Sequence, residues 1–395
     1  AVIYPKSRCP RCLNAIPPWA NIPILGWLML RGRCFHCKGR ISPRYPLIEF
    51  LNGALWVLVY WMEVPAGFGV SMLDSAANGP FGPTGDPASW WLSPVALIHW
   101  RYFYHMVLIE ALLVASFIDL DLWIIPDGST LPAMAVGFLG AGAIGHVYLT
   151  PVWHQNMRFA RELEFWLDRS SPGLSDWIFL KGALPDWIAQ WPHLHGLVAS
   201  LAGFLVAGGV VWLVRIVGHW ALGREAMGFG DVVLMAMVGS FLGWQAGVII
   251  FFMAPMFALL VVAATFIFHR QRELPFGPYL SLATLAVILF WKQIWTSVEP
   301  IFGSGPLLIL SAFIMTVAFA VVMRLIRRLF EFLGISSGDD DSPDDWNSGD
   351  HLFYYSSEAV DPHQGRWRNH EWPGSDSAHG WSQYDTWKNG PPGLR

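Results

Sequence analysis

The chain has 395 residues, of which 54% are hydrophobic and only 14% charged, with 23 Trp, 26 Phe and a net charge of −4; its mean hydropathy is +0.41. This balance lies outside the soluble range and marks a membrane protein, and so small a net charge provides no basic field for nucleic acid, which is excluded as a partner. The charges are segregated: the first 45 residues carry Lys6, Arg8, Arg11, Arg31, Arg33, Lys38, Arg40 and Arg44 with no Asp or Glu, whereas the stretch after Gly338 opens with Asp339, Asp340, Asp341, Asp344 and Asp345. No cleavable signal opens the chain, and its start at Ala1 in place of Met leaves room for a missing amino-terminal piece such as a further span.

In chain order, residues 1–45 form a small module that holds all four cysteines. Cys9-Pro-Arg-Cys12 and Cys34-Phe-His-Cys37 are two C-x2-C pairs separated by 21 residues. Four thiolates complete a closed tetrahedral zinc site and hold together a module with little core of its own. A closed site has no open coordination position, so the zinc is structural. Two disulfides or four unliganded thiols are the alternatives, and the reducing compartment assigned below to the module disfavours disulfides. His36 lies inside the second knuckle, but four cysteines already suffice. The surrounding basic residues offset the charge of a tetrathiolate centre, or face anionic lipid or a charged substrate segment.

Apolar stretches of about 20 residues, the length that crosses a bilayer as a helix, follow near 47–65, 99–118, 130–150, 196–217, 231–248, 250–268, 278–295 and 305–326. The expected fold is an all-α polytopic membrane protein of about eight transmembrane helices, with the transmembrane domain at 46–330. The division between the fifth and sixth spans rests on "GWQAG", inside 243–250. Polar inserts rich in Pro, Gly and Trp occupy 66–98 and 151–194; in the second, "NMRFARELEFWLDR" reads as an interfacial helix or an ordinary soluble one. Residues 337–395 lack the aliphatic residues for a core and read as a disordered acidic tail.

Orientation follows from the basic joints. With the basic module in the cytoplasm, alternation through eight spans puts Arg224, "HRQR" (269–272) and "RLIRR" (324–328) on that same side and both inserts outside. It also brings two acidic joints, "FIDLDLWIIPD" (117–127) and Gly228-Phe229-Gly230-Asp231, together at the cytoplasmic face.

Each acidic joint alone has an ordinary reading. Asp127 fits a helix cap, Asp121 an interfacial carboxylate, and Asp231 a cap after two glycines that allow a turn. Capping does not explain Asp119, which continues an apolar helix between Ile118 and Leu120. Two carboxylates brought close together share a proton, as aspartic peptide hydrolysis requires: one member takes a proton from water and the other polarises the scissile carbonyl. Asp119 and Asp231 are therefore the candidate dyad. "PFGP" (275–278) sets a rigid helix entry or lines the site, and Glu49 is either a helix-start acid or a substrate-facing group. His193 and His195, two apart on a helix, point to different faces and argue against a metal site. Serine and zinc-protease chemistries lack their motifs, G-x-S-x-G and H-E-x-x-H.

The cysteine-bearing run from Ser7 to Leu51, then "FIDLDLWIIPD", "MGFGD" and "LPFGPYL", resembles in content and order the prepilin peptidases, or type IV leader peptidases, of the GxGD class of membrane aspartic proteases. The resemblance implies a multi-pass enzyme of the bacterial inner membrane that acts at the cytoplasmic face. It would cleave the basic leader of type IV prepilins or type II secretion pseudopilins after a glycine. The family's catalytic pair falls on Asp119 and Asp231. Many members also methylate the new amino terminus with S-adenosylmethionine, an activity associated with the cysteine-bearing region; no S-adenosylmethionine signature is legible here. Val233 stands where members commonly carry lysine, the usual first span is missing, the inserts are long, and a last span and acidic tail extend past the usual end. A non-catalytic membrane scaffold of a pilus or secretion assembly is the alternative, with the Trp-bearing tail as its recruiting element.

Overall fold

In a hydrocarbon environment a backbone has only itself to bond to, and this apolar chain is accordingly helical. The computed structural model describes residues 8, 9, 12, 14–64, 94–145, 147–154, 161–162, 165–166, 169, 190–222, 227–268, 275–303 and 307–332. Among them a short 3₁₀ turn, Pro18–Asn21, precedes α1 (Leu25–Met29), α2 (Arg44–Glu63), α3 (Pro94–Leu122), α4 (Asp127–Ile144), α5 (Pro192–Leu222), α6 (Phe229–Leu242), α7 (Trp244–Phe268), α8 (Gly277–Phe302) and α9 (Leu307–Phe332). Four segments, Ala96–Leu122, Pro192–Trp220, Trp244–Ala263 and Gly277–Phe302, are long and apolar enough to cross a membrane.

Each of the eight apolar stretches is a helix, but several ends differ from expectation. α3 and α5 begin at Pro94 and Pro192, inside the segments read as inserts. α6 stops at Leu242 because Gly243 adopts φ 87°, ψ 172°, six residues before the expected end. Its 14 residues span about 21 Å, short of a hydrocarbon core of about 30 Å. Every residue from Leu234 to Leu242 is buried, as a helix apolar on all sides must be. The break thus falls at Gly243, the first residue of the "GWQAG" joint to which the sequence reading assigned it; its exact residue was not legible because α6 and α7 run together without a polar residue between Asp231 and Gln245 save Ser240. The N-cap position of α4 is taken by an extended Pro126, so Asp127, read as the cap, is instead the first helical residue, an acid of the first turn. Most of the two inserts, all of the tail at 337–395, Arg224 and 269–272 lie outside the described residues.

α6 is held by small residues. A Cβ at Gly203 of α5 would run into the carbonyl of Gly239, and one at Gly239 into the carbonyl of Gly203; this close approach substitutes for the hydrophobic drive that helices lack in lipid. Tyr104 of α3 ties in two more helices: its hydroxyl donates to the carbonyls of Gly137 (2.7 Å) and Ser240 (3.2 Å), and its ring packs on Phe241 at 4.5 Å. The Ser240 carbonyl also accepts from Ser200 at 2.6 Å. Four helices thus meet at one turn of α6, which fixes the height of the acidic residue at its start.

Gly239→Val should force α5 and α6 apart, at a cost of about 1–3 kcal/mol for overpacking. The check is a lowered thermal midpoint of the purified protein in detergent; an unchanged midpoint would contradict the close packing.

Candidate active site

Three helix ends converge. α3 carries Asp119 in its last turn and is stopped by Trp123, whose φ of 59° is the left-handed conformation that ends helices, with its N–H bonded to the Asp119 carbonyl oxygen at 2.9 Å. α6 carries Asp231 in its first turn, after Gly228 in extended conformation. α8 starts at Gly277, whose N–H donates to Asp119 Oδ2 at 3.1 Å. Both aspartates are buried. The Asp231 carboxylate takes a backbone hydrogen bond from Gly228 and lies near enough to Asp119 for the two to interact electrostatically. The capping role expected for Asp231 and its place beside Asp119 therefore coexist.

The glycines have specific reasons. An ideal Cβ on Gly277 would sit 2.5 Å from Asp119 Oδ2, so any side chain there displaces the carboxylate. A Cβ on Gly230 would come within 3.1 Å of Ile125 Cβ. Ile125, in the joint between α3 and α4, also faces the position of a Gly277 Cβ at 3.4 Å, and so forms an apolar wall shared by both glycine motifs. "PFGP" thus lines the site as well as starting a helix. Ile125 was missed by sequence reasoning, since an isoleucine in an apolar run carries no signal of its own.

Asp121 does not join the pair. It accepts two hydrogen bonds from the Arg44 guanidinium, each 2.8 Å, in a half-exposed bidentate ion pair, and Arg44 also lies over the Phe117 ring at 5.6 Å. This brings the start of α2 to the end of α3, two residues beyond Asp119. Glu49 is used locally too, accepting the Ile24 N–H at 2.6 Å. His193 and His195 diverge as expected: the first lies 3.0 Å from the Gly142 carbonyl, and Nε2 of the second accepts the Val152 N–H at 3.1 Å.

The four cysteines converge. Each knuckle is a tight turn, closed by Cys9 N–H to Asn14 O at 3.0 Å and by Cys34 N–H to Gly39 O at 2.8 Å. The sulfurs lie within 4.8 Å of one another, with Cys9–Cys37 at 3.9 Å and Cys12–Cys34 at 4.0 Å, and none is in a disulfide. A tetrahedral ion bonded at about 2.3 Å to each sulfur needs them about 3.8 Å apart, so the set fits a closed metal site. The backbone N–H of Cys37 leads the influences that pull the Cys34 thiol down to about 6. At Cys12 the Asn14 backbone bond acts in the same sense but is outweighed by desolvation and by the other three sulfurs, and the thiol is pushed up to about 11.

Residues 1–63 match the family model described as Bacterial Peptidase A24 N-terminal domain, and residues 174–264, which include Asp231, that of the Type IV leader peptidase family. Over these two segments the chain is similar to the type IV leader peptidase family. Relatives named prepilin leader peptidase/N-methyltransferase include those of Aeromonas salmonicida, 27% identical over 296 residues (74% of each chain), Stutzerimonas stutzeri, 29% over 301 residues (75% of each), and Pseudomonas aeruginosa, 28% over 297 residues (74% of each). No solved structure matches the chain.

Gly277→Ala should push the Asp119 carboxylate aside and lower proteolytic turnover about 100-fold, the scale of a 1 Å misplacement, with yield and thermal midpoint retained. Turnover equal to the parent protein would mean that the Gly277 amide does not position Asp119.

Proposed function

We propose that the protein is a membrane aspartic endopeptidase that cleaves the leader of type IV prepilins or type II secretion pseudopilins after glycine and then methylates the new amino terminus. The observation that carries this reading is the meeting of Asp119, Asp231 and the Gly277 amide at three helix ends. Two repelling carboxylates hold one proton between them. The ionised member takes a proton from water, whose oxygen attacks the scissile carbonyl carbon. The protonated member donates to the carbonyl oxygen; the amine nitrogen then gains a proton as the C–N bond breaks, leaving a carboxylate and a free amine. Asp119, held by the Gly277 N–H, and Asp231, held by Gly228, stay fixed while Ile125 walls the site from lipid.

The finer architecture is part of the proposal. The seven long helices and the shorter α6 form about eight spans in the bacterial inner membrane. The module at 1–45 and the site lie at the cytoplasmic face, and the chain continues through the domain at 46–330 to an acidic tail at 337–395. That face supports cleavage where a basic leader meets the apolar helix of the substrate. Cys9, Cys12, Cys34 and Cys37 would hold zinc, which serves as a structural cross-link of the module. Methylation rests on the relatives' name. S-adenosylmethionine supplies the methyl group, but the groove beside Ile24 on α2 is lined by aliphatic, glycine and aromatic groups. It offers no carboxylate for a ribose and does not fit the donor, so no residue is assigned to it.

The test is cleavage of a substrate with a basic leader and a Gly-Phe junction, read by mass spectrometry with S-adenosylmethionine present. Asp119→Asn and Asp231→Asn should each lower cleavage by roughly 10³-fold or more while the protein inserts normally. Substantial cleavage by either variant would reject the dyad. A product heavier by one methyl group would establish the second reaction. Removing zinc with a chelator should open residues 8–42 to proteolysis; unchanged resistance would contradict the structural ion.

A further inference from the structure

Leu25, Leu28 and Met29 occupy positions i, i+3 and i+4 of α1 and form one face of it; they are 56%, 56% and 65% exposed. The opposite face is committed to the module: Gly26 is buried against Ala20, and the Trp27 indole packs at Gly32 and donates to the Ile41 carbonyl at 3.1 Å. The short helix is thus amphipathic, with its larger apolar groups turned outward. Arg31 and Arg33 follow directly, and Lys38 and Arg40 are also exposed. The sequence has no acidic residue before Glu49.

Two features fix this face relative to α2. Ile24 has φ 61°, an outlier for a β-branched residue, held by its N–H bond to Glu49 of α2. Ile24 also lines one apolar groove with Phe50, Val57 and Trp61 of α2. These α2 residues lie on the side away from Leu55, Val59 and Glu63, which are buried, and in a membrane protein that outer side meets lipid. The exposed face of α1 is therefore continuous with a lipid-facing surface. A basic leader peptide, or a second copy of the module, carries the same sign of charge as its rim. An anionic bilayer carries the opposite sign and accepts apolar side chains at the headgroup boundary.

We propose that α1 is a membrane-surface anchor: Leu25, Leu28 and Met29 insert at the headgroup–acyl boundary of an anionic leaflet, while Arg31, Arg33, Lys38 and Arg40 lie on the lipid phosphates. The anchor holds the cysteine module down on the bilayer and goes beyond the peptidase reading, on which it does not depend.

The test is hydrogen exchange of the full chain, one copy per lipid nanodisc, in phosphatidylcholine alone and with roughly 30% phosphatidylglycerol. Amides of residues 22–31 should exchange about fivefold more slowly in the anionic discs. The protection should weaken in about 0.5 M salt, and Leu28→Asp should remove it. Arg31→Glu combined with Arg33→Glu should remove it as well, with exchange of residues 34–42 unchanged as evidence that the module remains folded. Equal exchange in both discs would overturn the anchor, as would protection that survives both sets of substitutions. Protection that arises only when a basic leader peptide is added would overturn it in favour of substrate docking.

Discussion

Two carboxylates buried at the ends of apolar helices repel one another, and much of the structure serves to hold them together. Among the described residues neither aspartate has an arginine or lysine partner; the contacts that fix them are backbone N–H groups, from Gly277 for Asp119 and from Gly228 for Asp231. Amide donors fix a carboxylate without supplying the full opposing charge that would neutralise the pair. The cation that does lie near, Arg44, is bound to Asp121 instead. Ion pairing is thus kept two residues along α3 from Asp119, where it joins the start of α2 to the end of α3.

The same requirement explains the short inner helix. To carry Asp231 to the level of Asp119, α6 must sit at a fixed height among its neighbours. The Gly203–Gly239 contact and the shared Ser240 carbonyl do this by backbone geometry instead of by bulky packing. Backbone contacts between small residues allow little sliding, since a shift of one turn would put a side chain where only glycine fits.

The helical class, the approximate places of α2 to α9, the cysteine cluster and the two acidic joints were legible in the sequence because each is written in a local pattern: apolar runs, C-x2-C pairs, and charges where charges are costly; α1, five residues inside the cysteine module, carries no such pattern. What was not legible depends on three dimensions. The end of α6 is set by the backbone angles of Gly243 within an unbroken apolar run, and the starts of α3 and α5 lie beyond the apolar signal, in Trp- and Pro-rich sequence. The Arg44–Asp121 pair joins residues 77 positions apart. Capping explained Asp231 only in part, because a helix-start acid in an apolar chain is equally a group held for another partner, and it missed Asp127 by one position, since Pro126 takes the cap.

The far ends of the helices show why long inserts can be accommodated without disturbing the site. The segment between α2 and α3 joins helices already fastened to each other: Glu63 meets His105 at 2.5 Å in a buried pair with Arg101 nearby, and Glu110 accepts from Asn52 and Trp56 at 3.1 and 2.6 Å. The segment after α4 is fixed at its root in the same way. Val152 bonds His195 and Trp244, and Gln245 donates to the Pro151 carbonyl at 2.7 Å. Because these fastenings lie between helices and at the loop roots, changes in the length of the intervening sequence need not propagate along α3 or α6. His105 and Asp119 are 14 positions apart on α3, about 21 Å along its axis. The insert-bearing end of the protein can therefore vary while the geometry of the two aspartates is set at the other.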